Sequence, residues 1–209
     1  MEKCAVLTGD IINFTSLKDK DRLNLINKTE VLIKSWVKQP NLAEVFRGDS
    51  YQLMMGDTGE AIKKGIQLIC WFKKHSDNKN KINLGSRVSI GIGSIAYNGK
   101  SVLDSDGEAF HLSGRNFDKM ADNEILRINT ADERINEQIA IILTFVNIII
   151  NQWTTSQAEV IFLAINGYTQ TKMADELGIQ QGAVNNRLRV ANWKTIQEGI
   201  DYIIQLIKE

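Results

Sequence analysis

What this sequence lacks first is net charge: 25 lysines and arginines stand against 25 aspartates and glutamates. A chain so balanced is not drawn as a whole to nucleic acid or to a membrane surface, and electrostatic binding has to come from a local patch. Cysteine is scarce. Cys4 and Cys70 are the only two, both inside apolar runs, which reads as buried free thiols in a reducing compartment. No long hydrophobic run is present. The most apolar stretch, Ala140 to Ile150, is too short to span a bilayer and contains Asn147. The N-terminus reaches Asp10 before any secretory leader could form, so a cytoplasmic location without membrane association is expected. Proline occurs once, at Pro40, where Pro40-Asn41 interrupts a helical pattern.

The patterns that are present divide the chain. Over residues 1–130, strands and helices interleave. Short apolar or alternating runs predict strands at Cys4 to Thr8, Ala43 to Phe46, Tyr51 to Met55, Arg87 to Ala96 and Ile125 to Ile128. A helix capped by Ser16 is expected to run to about Val37, with Leu23, Ile26, Val31 and Ile33 facing inward. Further helices are predicted at Gly59 to Lys74, with Ile62, Ile66, Ile69 and Phe72 inward, and at Gly107 to Met120. The expectation is an α+β fold, a mixed or antiparallel sheet with helices on one face. Ala131 to Gln152 reads as a connector helix, and residues 153–209 as an all-helical domain. Gly91-Ile-Gly93-Ser-Ile-Ala96 imitates a dinucleotide fingerprint, but its glycines lie inside a strand pattern, where they permit close backbone approach.

Two acidic residues share a local setting. Asp10 follows Gly9 after an apolar run, and Asp49 follows Gly48 at the tip of a tight hairpin, Arg47 to Ser50, between two strands. Carboxylates at strand edges suit a divalent cation, and glycine lets a phosphate approach the backbone. Asp10 and Asp49 also read as an ordinary strand-end residue and a turn former. Further on, Asp104, Gly107, His111 and Arg115 follow one another at defined spacings.

The order Asp10-Ile11, two residues, Phe14-Thr15, with Gly48-Asp49 and the Asp104 to Arg115 segment, resembles class III nucleotide cyclase catalytic domains over about residues 4–128. The resemblance implies a ferredoxin-like sheet and a Mg²⁺ (or Mn²⁺) site formed by Asp10, the Ile11 carbonyl and Asp49. It also implies nucleotide contacts at Gly48, Asp104 and Arg115, a catalytic set of Asp10, Asp49, His111 and Arg115, and an active homodimer. Two positions depart from that pattern. His111 stands where the family has a transition-state asparagine, and Val45 where it has a base-selecting lysine.

In the back half, Thr154 or Thr155 caps a helix through Ile165. A second helix covers Gln170 to Leu177, Gly178 supplies a turn, and a third helix covers Gln180 to Val190, around a core of Met173, Ala174, Leu177, Ile179, Val184 and Leu188. The stretch from Tyr168 to Leu188 resembles helix-turn-helix domains of sigma-factor region 4. Its third helix offers Gln180, Gln181, Asn185, Asn186, Arg187 and Arg189, residue types that read base edges or phosphates. The isoleucines of the last helix, Ile196, Ile200, Ile203, Ile204 and Ile207, serve either a dimer or the monomer core.

Front and back together resemble the SatD family of bacterial proteins. The expected function is a regulator in which a nucleotide- or phosphate-ligand-sensing domain is coupled to DNA binding. The alternative is a nucleotidyl cyclase or transferase using the two-Asp metal site.

Overall fold

The computed structural model describes residues 3–77 and 79–208. In chain order these form β1 (Cys4–Ile12), α1 (Asp19–Lys34), β2 (Ala43–Phe46), β3 (Ser50–Met55), α2 (Thr58–Lys74), β4 (Gly85–Gly93), α3 (Glu108–Phe117), β5 (Leu126–Thr130), α4 (Glu133–Asn151), α5 (Thr155–Ile165), α6 (Gln170–Leu177), α7 (Gln181–Val190) and α8 (Trp193–Lys208). The fold is α+β. Five strands make one mixed sheet in the order β2-β3-β1-β4-β5. Only the β4–β5 pair is parallel.

Helices cover both faces of this sheet, contrary to the one-sided arrangement expected. Strand side chains alternate between faces. Leu7, Val88 and Ile90 point into the main core with α2, where Ile62, Ile66, Ile69 and Phe72 are buried. The alternate residues Val6 and Met54 form a second cluster with Ala109 of α3 and the neighbouring Val102. Gly91 marks the contact. A Cβ there would lie 2.2 Å from the Ala109 carbonyl oxygen, so the missing side chain is what lets α3 lie against the strand.

Several boundaries differ from the sequence expectation. β1 runs on to Ile12, so Asp10 lies inside the strand rather than beyond it. α1 begins at Asp19 without a side-chain cap, and Ser16 belongs to a separate 3₁₀ turn. Its inward stripe is Leu25, Thr29 and Ile33, while Leu23 and Val31 are exposed. A four-residue spacing keeps 25, 29 and 33 on one face, and 23 and 31 stand about half a turn away from it. Cys70 is buried, whereas Cys4 is half-buried.

β5 is an edge strand, and α4 covers it with two buried asparagines. The Asn147 Oδ1 accepts from the Ile125 and Leu126 amides at 3.0 and 2.9 Å, and its Nδ2 donates to the Leu126 carbonyl at 2.9 Å. At the other end Asn136 accepts from the Thr130 amide at 2.7 Å and donates to its carbonyl at 2.9 Å. These amides replace a sixth strand and close an edge that would otherwise invite pairing. The asparagine that breaks the most apolar stretch of the sequence is thus placed by its hydrogen bonds.

The helical half is built onto α2. Phe162 of α5 packs its ring 5.7 Å from Trp71, and Gln67 donates to the Phe162 carbonyl at 3.4 Å. The Lys73 ammonium donates to the carbonyls of Asn151 and Trp153, at 3.1 and 3.2 Å, placing a cation at the negative end of α4. In α8, Ile196, Ile200, Ile203 and Ile207 are buried in the chain's own core. That apolar stripe is therefore spent within the monomer. Among the described residues no helix is long and apolar enough to cross a membrane.

Candidate functional site

The β1–β3–β4 register brings the two singled-out acids to adjacent positions. Asp10 pairs with Ser50 across β1 and β3, and the Ile11 amide donates to the Asp49 carbonyl at 2.9 Å. In an antiparallel ladder a residue's N–H and C=O point to the same side, so the Ile11 carbonyl also faces the hairpin. The turn itself consists of Arg47 and Gly48, both at positive φ (52° and 87°). Asp49 is already tied to β1 and is not the tip. Gly48 has nothing within 4 Å of where a Cβ would stand, which leaves its backbone open. The Asp49 carboxylate accepts from the Ser50 hydroxyl at 3.3 Å.

Asp10 is engaged by a residue that the sequence did not single out. Arg87, its direct partner across β1 and β4, donates from Nη2 to Oδ2 at 2.5 Å and from Nε to Oδ1 at 3.2 Å. Both carboxylate oxygens therefore face one planar guanidinium, the two-point geometry of a strong charge-assisted pair. The guanidinium carbon lies 5.1 Å from the centre of the Phe117 ring, so α3 covers it from the other side. The hydrogen bond to Asp10 raises the Arg87 pKa above its usual value against the opposing effect of burial, with further support from the charges of Asp10 and Asp122. Behind the pair, Ser86 donates to the Asp10 carbonyl at 2.6 Å and meets the buried Tyr51 hydroxyl at the same distance. Burial raises the Tyr51 pKa, so this hydroxyl stays protonated.

The same sheet face carries Thr8, which meets Gln52 of β3 at 3.0 Å and Ser113 of α3 at 2.8 Å. These polar side chains continue from Asp10 along β1. The Asp104 to Arg115 segment runs from before α3 into its last turn, so Asp104 lies at the end of the helix away from Phe117 and Arg115 lies near it. Asp104 is exposed and accepts from Ser101 at 3.1 Å, and His111 meets Asp106 at 3.2 Å. Gly107, at φ 152°, lies tight against residues 94 to 96. Arg115 is exposed, near the end of α3. Asp10 and Asp49 are thus neighbours in the backbone register, while His111 meets a different carboxylate, Asp106.

In the back half Gly178 holds a left-handed conformation (φ 62°, ψ 36°) between α6 and α7. Met173, Ala174 and Val184 close the core beneath it. Thr154 caps α5 in a reciprocal arrangement with Gln157. Gln180, Gln181, Asn185, Asn186 and Arg189 are all exposed. Arg187 turns inward to Glu159 at 3.2 Å and to the Ser156 carbonyl at 3.4 Å, joining α7 to α5.

No protein-family model matches the chain, and no curated protein matches it. The functional reading therefore rests on the residues themselves.

Proposed function

We propose that this protein is a bacterial regulator in which α6 and α7 form a DNA-binding helix-turn-helix, carried by a cyclase-like half that responds to a nucleotide or other phosphorylated ligand. One observation carries the reading. α7 presents Gln181, Asn185, Asn186 and Arg189 to solvent while its opposite side is held by α5, α6 and α8. A recognition helix needs that asymmetry, because base edges are read only by side chains free of the protein's own core. Net neutrality predicts modest affinity per chain, with the phosphate contacts confined to the local basic residues of α7 and screened by salt. A homodimer reading two half-sites belongs to this proposal.

The ligand-responsive half is proposed from the open Gly48 backbone, the exposed Arg115 and the polar strip beside Asp10, with Asp104 at the far end of α3. The helical half packs against α2, which joins it to the cyclase-like half. The alternative, a nucleotidyl cyclase or transferase, draws on the adjacency of Asp10 and Asp49. It is weakened by the hold of Arg87 on Asp10 and by the engagement of His111 with Asp106.

Binding to fragments recovered by genomic pull-down tests the DNA reading. Arg189→Ala and Asn185→Ala are each expected to weaken specific binding by about 1–3 kcal/mol, with little effect on stability. A wild-type protein that binds recovered fragments no more tightly than charge-matched random duplex overturns it. For the ligand, a nucleotide at about 100 times its Kd should add about 2.7 kcal/mol to stability, visible as a raised Tm. A nucleotide panel that leaves Tm unchanged removes that half of the proposal.

A further inference from the structure

The two-carboxylate resemblance implies a divalent ion at Asp10 and Asp49, and the residues around Asp10 do not fit one. A metal ion and a guanidinium need the same lone pairs, and Arg87 faces both Asp10 oxygens. We infer that Arg87 is the resident cation of this site: its guanidinium neutralises Asp10 and keeps Mg²⁺ and Mn²⁺ off the Asp10–Asp49 pair.

Three features hold Arg87 there. Its backbone is fixed opposite Asp10 by the β1–β4 register. Its planar head makes two hydrogen bonds rather than one, so it recognises the carboxylate as a fork, which a point charge does not do. Phe117 of α3 closes over the guanidinium at 5.1 Å, and the Arg87 and Asp10 side chains are only 30% and 23% exposed. Water therefore competes weakly for either partner. An incoming divalent ion would have to shed most of its own hydration, break both hydrogen bonds and leave the guanidinium half-buried beside a second positive charge. Mg²⁺ in particular dehydrates reluctantly. Asp49 alone, a single half-exposed carboxylate, is a poor cage.

The inference concerns the same strand edges as the proposed ligand site but does not depend on that proposal. Its test needs neither DNA nor nucleotide. Mn²⁺ binding is followed by electron paramagnetic resonance on the full chain, comparing wild type, Asp10→Asn, Arg87→Met and Arg87→Met/Asp10→Asn. Wild type and Asp10→Asn should give the same weak, non-specific titration. Arg87→Met should gain a site at least about tenfold tighter, the scale on which partners of metal ligands change affinity, and the double variant should lose it. Arg87→Lys should fall between wild type and Arg87→Met, since it retains the charge but loses the two-point fork. Wild-type binding that is tight and lost in Asp10→Asn overturns the inference. So does an Arg87→Met protein that keeps the wild-type fold by circular dichroism and gains no Mn²⁺ site. Should Arg87→Met fail to fold, the comparison of wild type with Asp10→Asn still decides whether Asp10 holds metal in the native protein.

Discussion

Gly91→Ala is expected to cost about 3–5 kcal/mol, near the upper end for a single substitution. The added methyl would stand 2.2 Å from the Ala109 carbonyl oxygen and 2.3 Å from the Ser113 amide nitrogen. Both are backbone atoms of α3, so no rotamer change relieves the clash. Either α3 lifts from the sheet or β4 bends, and both routes exceed ordinary overpacking of a flexible core. Lifting α3 separates Ala109 from Val6 and Met54, breaks the Ser113 bonds to Thr8 and to the Ser89 carbonyl, and uncovers Arg87 by moving Phe117. At about 2–4 °C per kcal/mol for a chain of this size, Tm should fall by roughly 6–20 °C. Urea denaturation is the direct measurement, and a loss below about 1 kcal/mol would show that α3 does not lie this close.

Asn147→Leu is the second large effect. The leucine fits the apolar character of α4 and is the residue that hydropathy alone would choose. It nevertheless strips acceptors from the Ile125 and Leu126 amides and a donor from the Leu126 carbonyl, all at a buried edge. Each buried backbone group left without a partner costs about 1–3 kcal/mol, so the expected loss is about 3–5 kcal/mol once partial relaxation is allowed. Asn147→Asp should fall between wild type and Asn147→Leu, because a carboxylate still accepts from both amides but cannot donate to the carbonyl. Hydrogen exchange gives a local readout. The Ile125 and Leu126 amides should lose protection in Asn147→Leu while those of β1 and β3 keep theirs, and unchanged protection at 125 and 126 would refute the role of Asn147 as a strand substitute.

These two positions show how far the sequence reaches. The glycines at 91 and 93 are legible as close-approach sites because they interrupt an otherwise β-branched strand, although nothing local identifies α3 as the neighbour. Asn147 is visible only as a flaw in an apolar run. Its purpose lies in β5, 21 and 22 residues earlier in the chain. Arg87 was invisible as a site residue for the same reason. It is separated from Asp10 by 77 positions, and an arginine at the start of a strand carries no local mark of its partner.

By itself the sequence determined which segments become strands and which become helices, through periods of two and of 3.6. It also determined the turns at Gly48 and Gly178, the inward face of α2, the core beneath α7 and the polar exterior of that helix. Those features depend on neighbours within a few residues, and local sterics and hydrophobic patterning suffice for them. The tertiary structure alone decided that α3 lies across the sheet from α2, that the α8 isoleucines are buried in the monomer, that asparagines close the β5 edge, and that Asp10 meets Arg87. Each of these depends on strand order and register, and a single residue of slip would turn every side chain of a strand to the other face.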